Sequence, residues 1–98
     1  MIDRNTLCQY LNQLLAPEKF TDYCPNGLQI EGKNTIHKII TGVTASLALI
    51  DAAIHEKADA LIVHHGFFWK GETGHIDGIK KIRIAKILQK DINMLAYH

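Results

Sequence analysis

The residues predict an α/β domain with a three-layer arrangement, a parallel sheet flanked by helices. Two observations carry this. Ala60-Leu61-Ile62-Val63 is an unbroken apolar run leading into His64-His65-Gly66. A short run of this kind, rich in β-branched residues, reads as a strand covered on both faces. Segments of helical period then separate it from apolar stretches on either side. Parallel strands need such crossovers, and the crossovers are right-handed. The three parallel strands are expected at Lys38–Val43, Ala60–His64 and Asn93–Tyr97.

Taken in order, Asp3 is placed to N-cap the first helix, with Ile2 stapled onto Leu7. Leu7, Cys8, Leu11, Leu14 and Leu15 recur at helical spacing and form one apolar stripe, and Pro17 marks the helix end. Phe20 to Gly32 reads as a loop containing a turn at Pro25-Asn26-Gly27 and a short strand, Leu28-Gln29-Ile30, able to pair at a sheet edge. Asp22, Tyr23 and Asn26 fit turn chemistry better than a site. Ile36 to Val43 is the first long strand. Thr44 or Ser46 then caps a helix that buries Leu47, Ile50, Ala53 and Ile54. That helix lacks the glycine-rich fingerprint of a phosphate cradle. His55, near its C-terminus, is read as structural. Ile79 to Gln89 is helical, with Ile79, Ile82, Ile87 and Leu88 apolar. Its lysines and arginine read as a solvated face, so nucleic acid is not the expected partner.

An apolar fraction of 47% in 98 residues suits one small globular domain. The net charge of +1 gives no global signal for nucleic acid or an anionic membrane. No apolar run approaches the ~20 residues that span a bilayer, and Met1-Ile2-Asp3-Arg4-Asn5 lacks the pattern of a signal peptide. The cytoplasm is the expected location. Cys8 and Cys24 are too few for a disulfide scaffold and are expected as free buried thiols.

The chemistry-bearing residues gather where the central strand ends. Ligands in open α/β sheets bind at the carboxyl ends of the strands, and imidazole is the commonest protein metal ligand. Consecutive strand residues point to opposite faces, with Cα atoms about 3.8 Å apart. That spacing suits one histidine on each of two ions, which sit roughly 3.5–4 Å apart in two-metal sites. The other reading is one core and one surface histidine. Phe67-Phe68-Trp69 follow directly. They fit a wall for a flat ring, and equally a core or oligomer contact. His98 puts a third histidine at the same rim. His75 and Glu72 lie in the loop between and are weaker candidates.

Three motifs, taken together, resemble a known family. They are Asp22-Tyr23-Cys24-Pro25-Asn26-Gly27-Leu28-Gln29-Ile30-Glu31-Gly32, Gly42-Val43-Thr44-Ala45-Ser46, and Ile62-Val63-His64-His65-Gly66-Phe67-Phe68-Trp69-Lys70-Gly71. Their order and spacing resemble the Nif-three-like family, whose bacterial members (the YbgI type) are named GTP cyclohydrolase I type 2 homologues. The resemblance covers essentially the whole chain and implies an α/β fold, two divalent metal ions and ring-shaped hexamers. It makes His64 and His65 metal ligands and puts His98, Phe68 and Trp69 near the site. The ions would be zinc, iron, manganese or nickel, which histidine and carboxylate ligands all suit. The family's remaining ligands, an aspartate, a histidine and a glutamate, belong to positions beyond His98. Residues 1–98 are therefore expected to be a single truncated domain, the N-terminal piece of a longer chain. A last strand at Asn93–Tyr97 would then leave an apolar sheet edge open to association.

The implied activity is metal-dependent hydrolysis of a purine nucleotide. The alternatives are a non-catalytic metal-binding or regulatory module acting through protein partners, and an inactive fragment.

Overall fold

Apolar residues alternate along two neighbouring strands, and that alternation divides the core into two halves. In a computed structural model, which describes residues 1–19, 25–72 and 74–98, the elements run β1 (Ile2–Asp3), α1 (Arg4–Leu15), a 3₁₀ turn (Pro17–Lys19), β2 (Gly27–Ile30), β3 (Thr35–Ile36), β4 (Ile39–Thr44), α2 (Leu47–His55), β5 (Ala60–His65), α3 (Gly78–Gln89) and β6 (Asn93–Ala96). Leu61 and Val63 of β5 and Met94 and Ala96 of β6 share one cluster with Ile50 and Ala53 of α2 and Ile84 and Ile87 of α3. Ala60 and Ile62 of β5 and Leu95 of β6, with Tyr97, belong to the other, with Leu7, Cys8 and Leu11 of α1 and Ile36 of β3. Successive strand side chains point to opposite faces, so these two strands present apolar surface to helices on both sides. The three-layer α/β arrangement follows.

The main sheet has the order β2-β6-β5-β4. β4, β5 and β6 are mutually parallel, as expected. β2 pairs antiparallel on the outer side of β6, with an irregularity between Leu28 and Ile30. This overturns the expected apolar edge at β6, whose four residues are all buried. The edges are β2 and β4. A small antiparallel pair, β1 with β3, was not signalled by the sequence.

Other expectations are corrected by burial. The strand expected over 36–43 breaks into β3 and β4, because Asp59 takes the backbone N–H groups of His37 and Lys38 at the break. Leu14 and Leu15 of α1, Leu47 of α2, and Ile79, Ile82 and Leu88 of α3 are exposed. The apolar stripes of the helices are wider than the faces that the sheet covers. Asp3 does cap α1, accepting from the N–H groups of Asn5 and Thr6. Ser46, not Thr44, caps α2 through the N–H of Leu49. Cys8 is half-buried and free, and burial pushes its thiol pKa up. Phe20, Asp22, Tyr23 and Cys24 lie outside the described residues. No helix among those described is long and apolar enough to cross a membrane.

At the amino ends of the strands, Asn93 and Asp59 each hold several partners. Asn93 is fully buried. Its Oδ1 accepts from the N–H of Gly32 at 2.6 Å, and its Nδ2 donates to the carbonyls of Lys33 at 2.8 Å and Asp59 at 3.2 Å. The Asp59 carboxylate accepts from Lys33 Nζ at 3.0 Å and from the N–H groups of His37 and Lys38 at 2.8 and 3.2 Å. Burial alone would raise its pKa, but these donors outweigh it and hold the carboxyl below its ordinary value.

Replacing Asn93 by Ala takes the amide partner from the part-buried N–H of Gly32 and the carbonyl of Lys33, while the carbonyl of Asp59 keeps the backbone N–H of residue 93. It is expected to destabilise the fold by about 2–3 kcal/mol in urea titrations. Asp59 sets an acid limb. Its folded pKa lies below the unfolded one, so its stabilisation is complete above the unfolded value and is lost as pH falls through the folded value. Urea midpoints measured from pH 6 down to pH 2 should fall less steeply in Asp59→Asn than in the parent chain.

Candidate metal centre

β5 ends in the histidine pair, and its last residues are fixed from both sides. The carbonyl of His65 accepts from the N–H of Ala45 at 2.9 Å, and that of Val63 accepts from the N–H of Tyr97 at 3.0 Å. The strand thus stays paired up to the rim. The His64 and His65 ring centroids are 4.4 Å apart. That is too close for two side chains left on opposite faces of a pleated strand, so the rings meet across the strand end. His98 stacks on His64 at 4.5 Å and 7°, and lies 5.3 Å from His65. Each of the three imidazoles offers a nitrogen, and these nitrogens all lie within 4.8 Å of one another. Nitrogens bound to one zinc at about 2.1 Å can be at most about 4.2 Å apart. Three imidazole nitrogens gathered this closely are a donor set of the kind a divalent ion takes.

Electrostatics suits ligation. His64 Nδ1 donates to the carbonyl of Tyr97 at 3.1 Å. A carbonyl can only accept, so Nδ1 carries the proton and the Nε2 lone pair is left for a ligand. Partial burial holds the His65 pKa below its ordinary value, and neighbouring His64 and His98 push it the same way. The neutral imidazole, the form that ligates, is favoured.

The aromatic run divides. Phe67 is buried in the core, with the Arg83 guanidinium 5.1 Å from its ring centroid. Phe68 is half-exposed at φ 64°, a left-handed conformation uncommon for a bulky residue. It packs on Phe67 and Lys80, away from the histidines. Trp69 turns back to them, 5.0 Å from His98 and 5.6 Å from His65. Its Nε1 donates to the carbonyl of Gly66 at 3.2 Å and its backbone N–H to Glu72 at 2.8 Å. Of the residues singled out from the sequence, His64, His65, His98 and Trp69 come together. Phe68 and His75 do not join them.

Two supporting residues, Gln29 and Arg83, escaped the sequence reading, and Glu72, a weaker candidate there, joins them in support. Gln29 sits at the β2 irregularity. Its Oε1 accepts from the N–H of Phe67 at 2.8 Å, and its Nε2 donates to the carbonyl of Phe67 at 3.0 Å and that of Pro25 at 2.9 Å. It substitutes for a strand partner just after the histidines, and the one available signal was an amide between two apolar strand residues. Glu72 pairs with Lys80 at 2.8 Å, and chiefly that hydrogen bond holds its pKa low. Arg83 lines a cleft of about 320 Å³ with Thr44, His65, Gly66, Phe67, Trp69 and Glu72. A cleft of similar volume between Lys33, Lys57 and Lys90 contains none of the histidines.

A family model described as Duf34/NIF3 (NGG1p interacting factor 3) matches residues 2–98. The chain belongs to this family. It is 59% identical over 88 residues to the GTP cyclohydrolase 1 type 2 homolog of Vibrio cholerae, covering 90% of this chain and 35% of that protein. It is 53% identical over 96 residues to the protein of the same name from Escherichia coli K12, covering 97% and 39%. Among solved structures, protein ybgI superposes with a TM-score of 0.96 at 50% identity, over 99% of this chain and 39% of the other. TTHA1606 from Thermus thermophilus gives 0.93 at 42% identity, over 99% and 40%. The chain therefore spans less than half the length of these relatives.

Gly66 tests the packing under the rim. A Cβ there would meet Gln29 Oε1 at 2.3 Å and Ala96 Cβ at 2.8 Å. Gly66→Ala should therefore dislodge Gln29. Gln29→Ala leaves the N–H of Phe67 unpaired, and either change is expected to cost about 1–3 kcal/mol in thermal melts.

Proposed function

We propose that this chain carries the histidine part of a two-metal hydrolase site that acts on a purine nucleotide. The observation that supports this most is the convergence of the three imidazole nitrogens at the carboxyl rim. His64 and His65 would hold the ions, with His98 as a third nitrogen ligand. The ions would be zinc, iron, manganese or nickel. When bound, such ions supply Lewis-acid polarisation of substrate oxygens. The chain's own part is to fix ligand orientation. Tyr97 holds the His64 ring through its carbonyl, and Gln29 holds the turn beyond His65 through Phe67. Trp69 walls the site on one side and offers an edge or face to a purine ring. The names of the relatives support a nucleotide substrate. Homo-oligomeric assembly, into hexamers, and a cytoplasmic location complete the reading. The exposed Ile39 and Val43 on the β4 edge are compatible with such assembly.

A second reading, a non-catalytic metal-binding or regulatory module, is favoured by one feature. Among the described residues no carboxylate joins the imidazoles. Glu72, the acid nearest in sequence, is engaged by Lys80 and the N–H of Trp69.

Calorimetric titration with zinc and manganese tests the metal reading. The chain is expected to bind weakly, since imidazoles alone bring no charge to offset a dication. His64→Ala, His65→Ala and His98→Ala should each weaken binding about tenfold or more. An isotherm unchanged in all three variants would remove the reading. GTP turnover by a longer family chain, lost with His64→Ala, separates the hydrolase from the module.

A further inference from the structure

Beside the imidazoles lies a cleft, with a guanidinium in its wall, that the metal reading leaves unused. It is the cleft of about 320 Å³ whose walls include Thr44, His65, Trp69, Glu72 and Arg83. A guanidinium offers five N–H donors in a planar fork. In Arg83, Nη1 donates to the carbonyl of Ala45 at 3.1 Å, and the buried Nε has no partner among the described residues. The guanidinium is held by two contacts, that carbonyl and the face of Phe67 at 5.1 Å. Glu72 is the carboxylate of the cleft, and Lys80 neutralises it at 2.8 Å. Arg83 is therefore a cation held in place in the wall of the cleft that His65 also lines. A planar fork of this kind matches an oxyanion with two acceptor oxygens.

We propose that Arg83 is the substrate-anchoring residue of this site, receiving a phosphoryl or carboxylate group in the Thr44–Trp69 cleft while the rest of the ligand extends to the imidazoles. The assignment rests on the imidazole cluster being the reacting end. Its own test needs no metal. Arg83 supplies charge and bidentate geometry, Thr44 adds a hydroxyl, and the partly buried wall formed by Trp69 strengthens both interactions by excluding water. The cleft would thus select anionic substrates over neutral ones of the same shape.

Trp69 is the only tryptophan in the chain, so its emission reports on the cleft directly. In protein stripped of metal with a chelator, inorganic phosphate and acetate are titrated separately at constant ionic strength. Saturable change with either anion is expected, and the better one identifies the group as phosphoryl or carboxylate. Arg83→Met should weaken that binding about tenfold to a hundredfold, and Arg83→Lys, which keeps the charge without the fork, by a smaller factor. Saturation by neither anion in the parent chain overturns the proposal, as does an unchanged midpoint in a folded Arg83→Met protein. If Arg83→Met does not fold, the Arg83 Nε–H resonance of the parent chain decides. It must move with the same midpoint as the Trp69 emission, and a resonance that stays still also overturns the proposal. Zinc titration of the same proteins keeps the two readings apart. Loss of zinc binding in the parent chain sinks the metal reading, and an anion result that survives it still stands for Arg83.

Discussion

The buried amide of Asn93 is the constraint on which the sheet depends. It opens β6, the strand between β2 and β5, and is bound to Gly32, Lys33 and Asp59. An unpaired amide in that position would cost a substantial part of a small domain's stability. Its bonds join the chain before β3, the residue before β5 and the start of β6, so the three segments must assemble together. Once they do, the parallel register of Ala60 with Asn93 is set, and the pleat decides which residues meet α1 and which meet α2 and α3. The positions of His64 and His65, farther along the same strand, are consequences of that register.

The parts of the fold that a reader could take from the sequence are those carried by local pattern. The run from Ala60 to Val63, the two crossovers, the cap at Asp3 and the short strand containing Gln29 are all of this kind. What escaped depends on contacts distant in sequence. The side chain of Asp59 reaches residues 21 and 22 positions back, and that of Gln29 reaches one 38 positions ahead. Neither changes the period of the residues around it. The interior place of β6 was hidden for the same reason. An antiparallel partner as short as β2 carries no topological label, so pattern alone leaves a strand late in the chain at the edge. The helix faces were overread because apolar spacing shows which residues can be covered, while the width of the sheet decides which are. Leu88 is apolar at helical spacing yet exposed, whereas Ile87 beside it is fully buried.

The candidate site was legible in its residue types and less so in its geometry. Adjacent histidines at a strand end suggested ligands, but alternation alone would have kept their rings apart. They meet at a strand end followed by Gly66, which lies in a space that Gln29 and Ala96 leave too small for a side chain. Trp69 reaches the histidines for a related reason. Phe68 accepts a left-handed backbone conformation, and Glu72 takes the N–H of Trp69. A loop of three aromatics is thereby sorted into a core residue, a surface residue and a wall.

The two ends of β5 show how the sheet separates stability from chemistry. At the amino end, Asp59 and Asn93 use their polar atoms on the protein itself, and the carboxylate there is pulled below its ordinary pKa by donors that neutralise its charge. At the carboxyl end, the hydrogen bonds stop short of completion. His64 uses Nδ1 on a carbonyl and retains Nε2, while Arg83 uses Nη1 and has a buried Nε without a partner among the described residues. Unsatisfied polar groups weaken a fold when they are buried without solvent or ligand. His64, on β5, and Arg83, on α3, lie at the rim of a sheet whose opposite end Asp59 and Asn93 hold in place. A ligand that completes the rim groups then gains from an arrangement already made, without the chain having to reorganise around it.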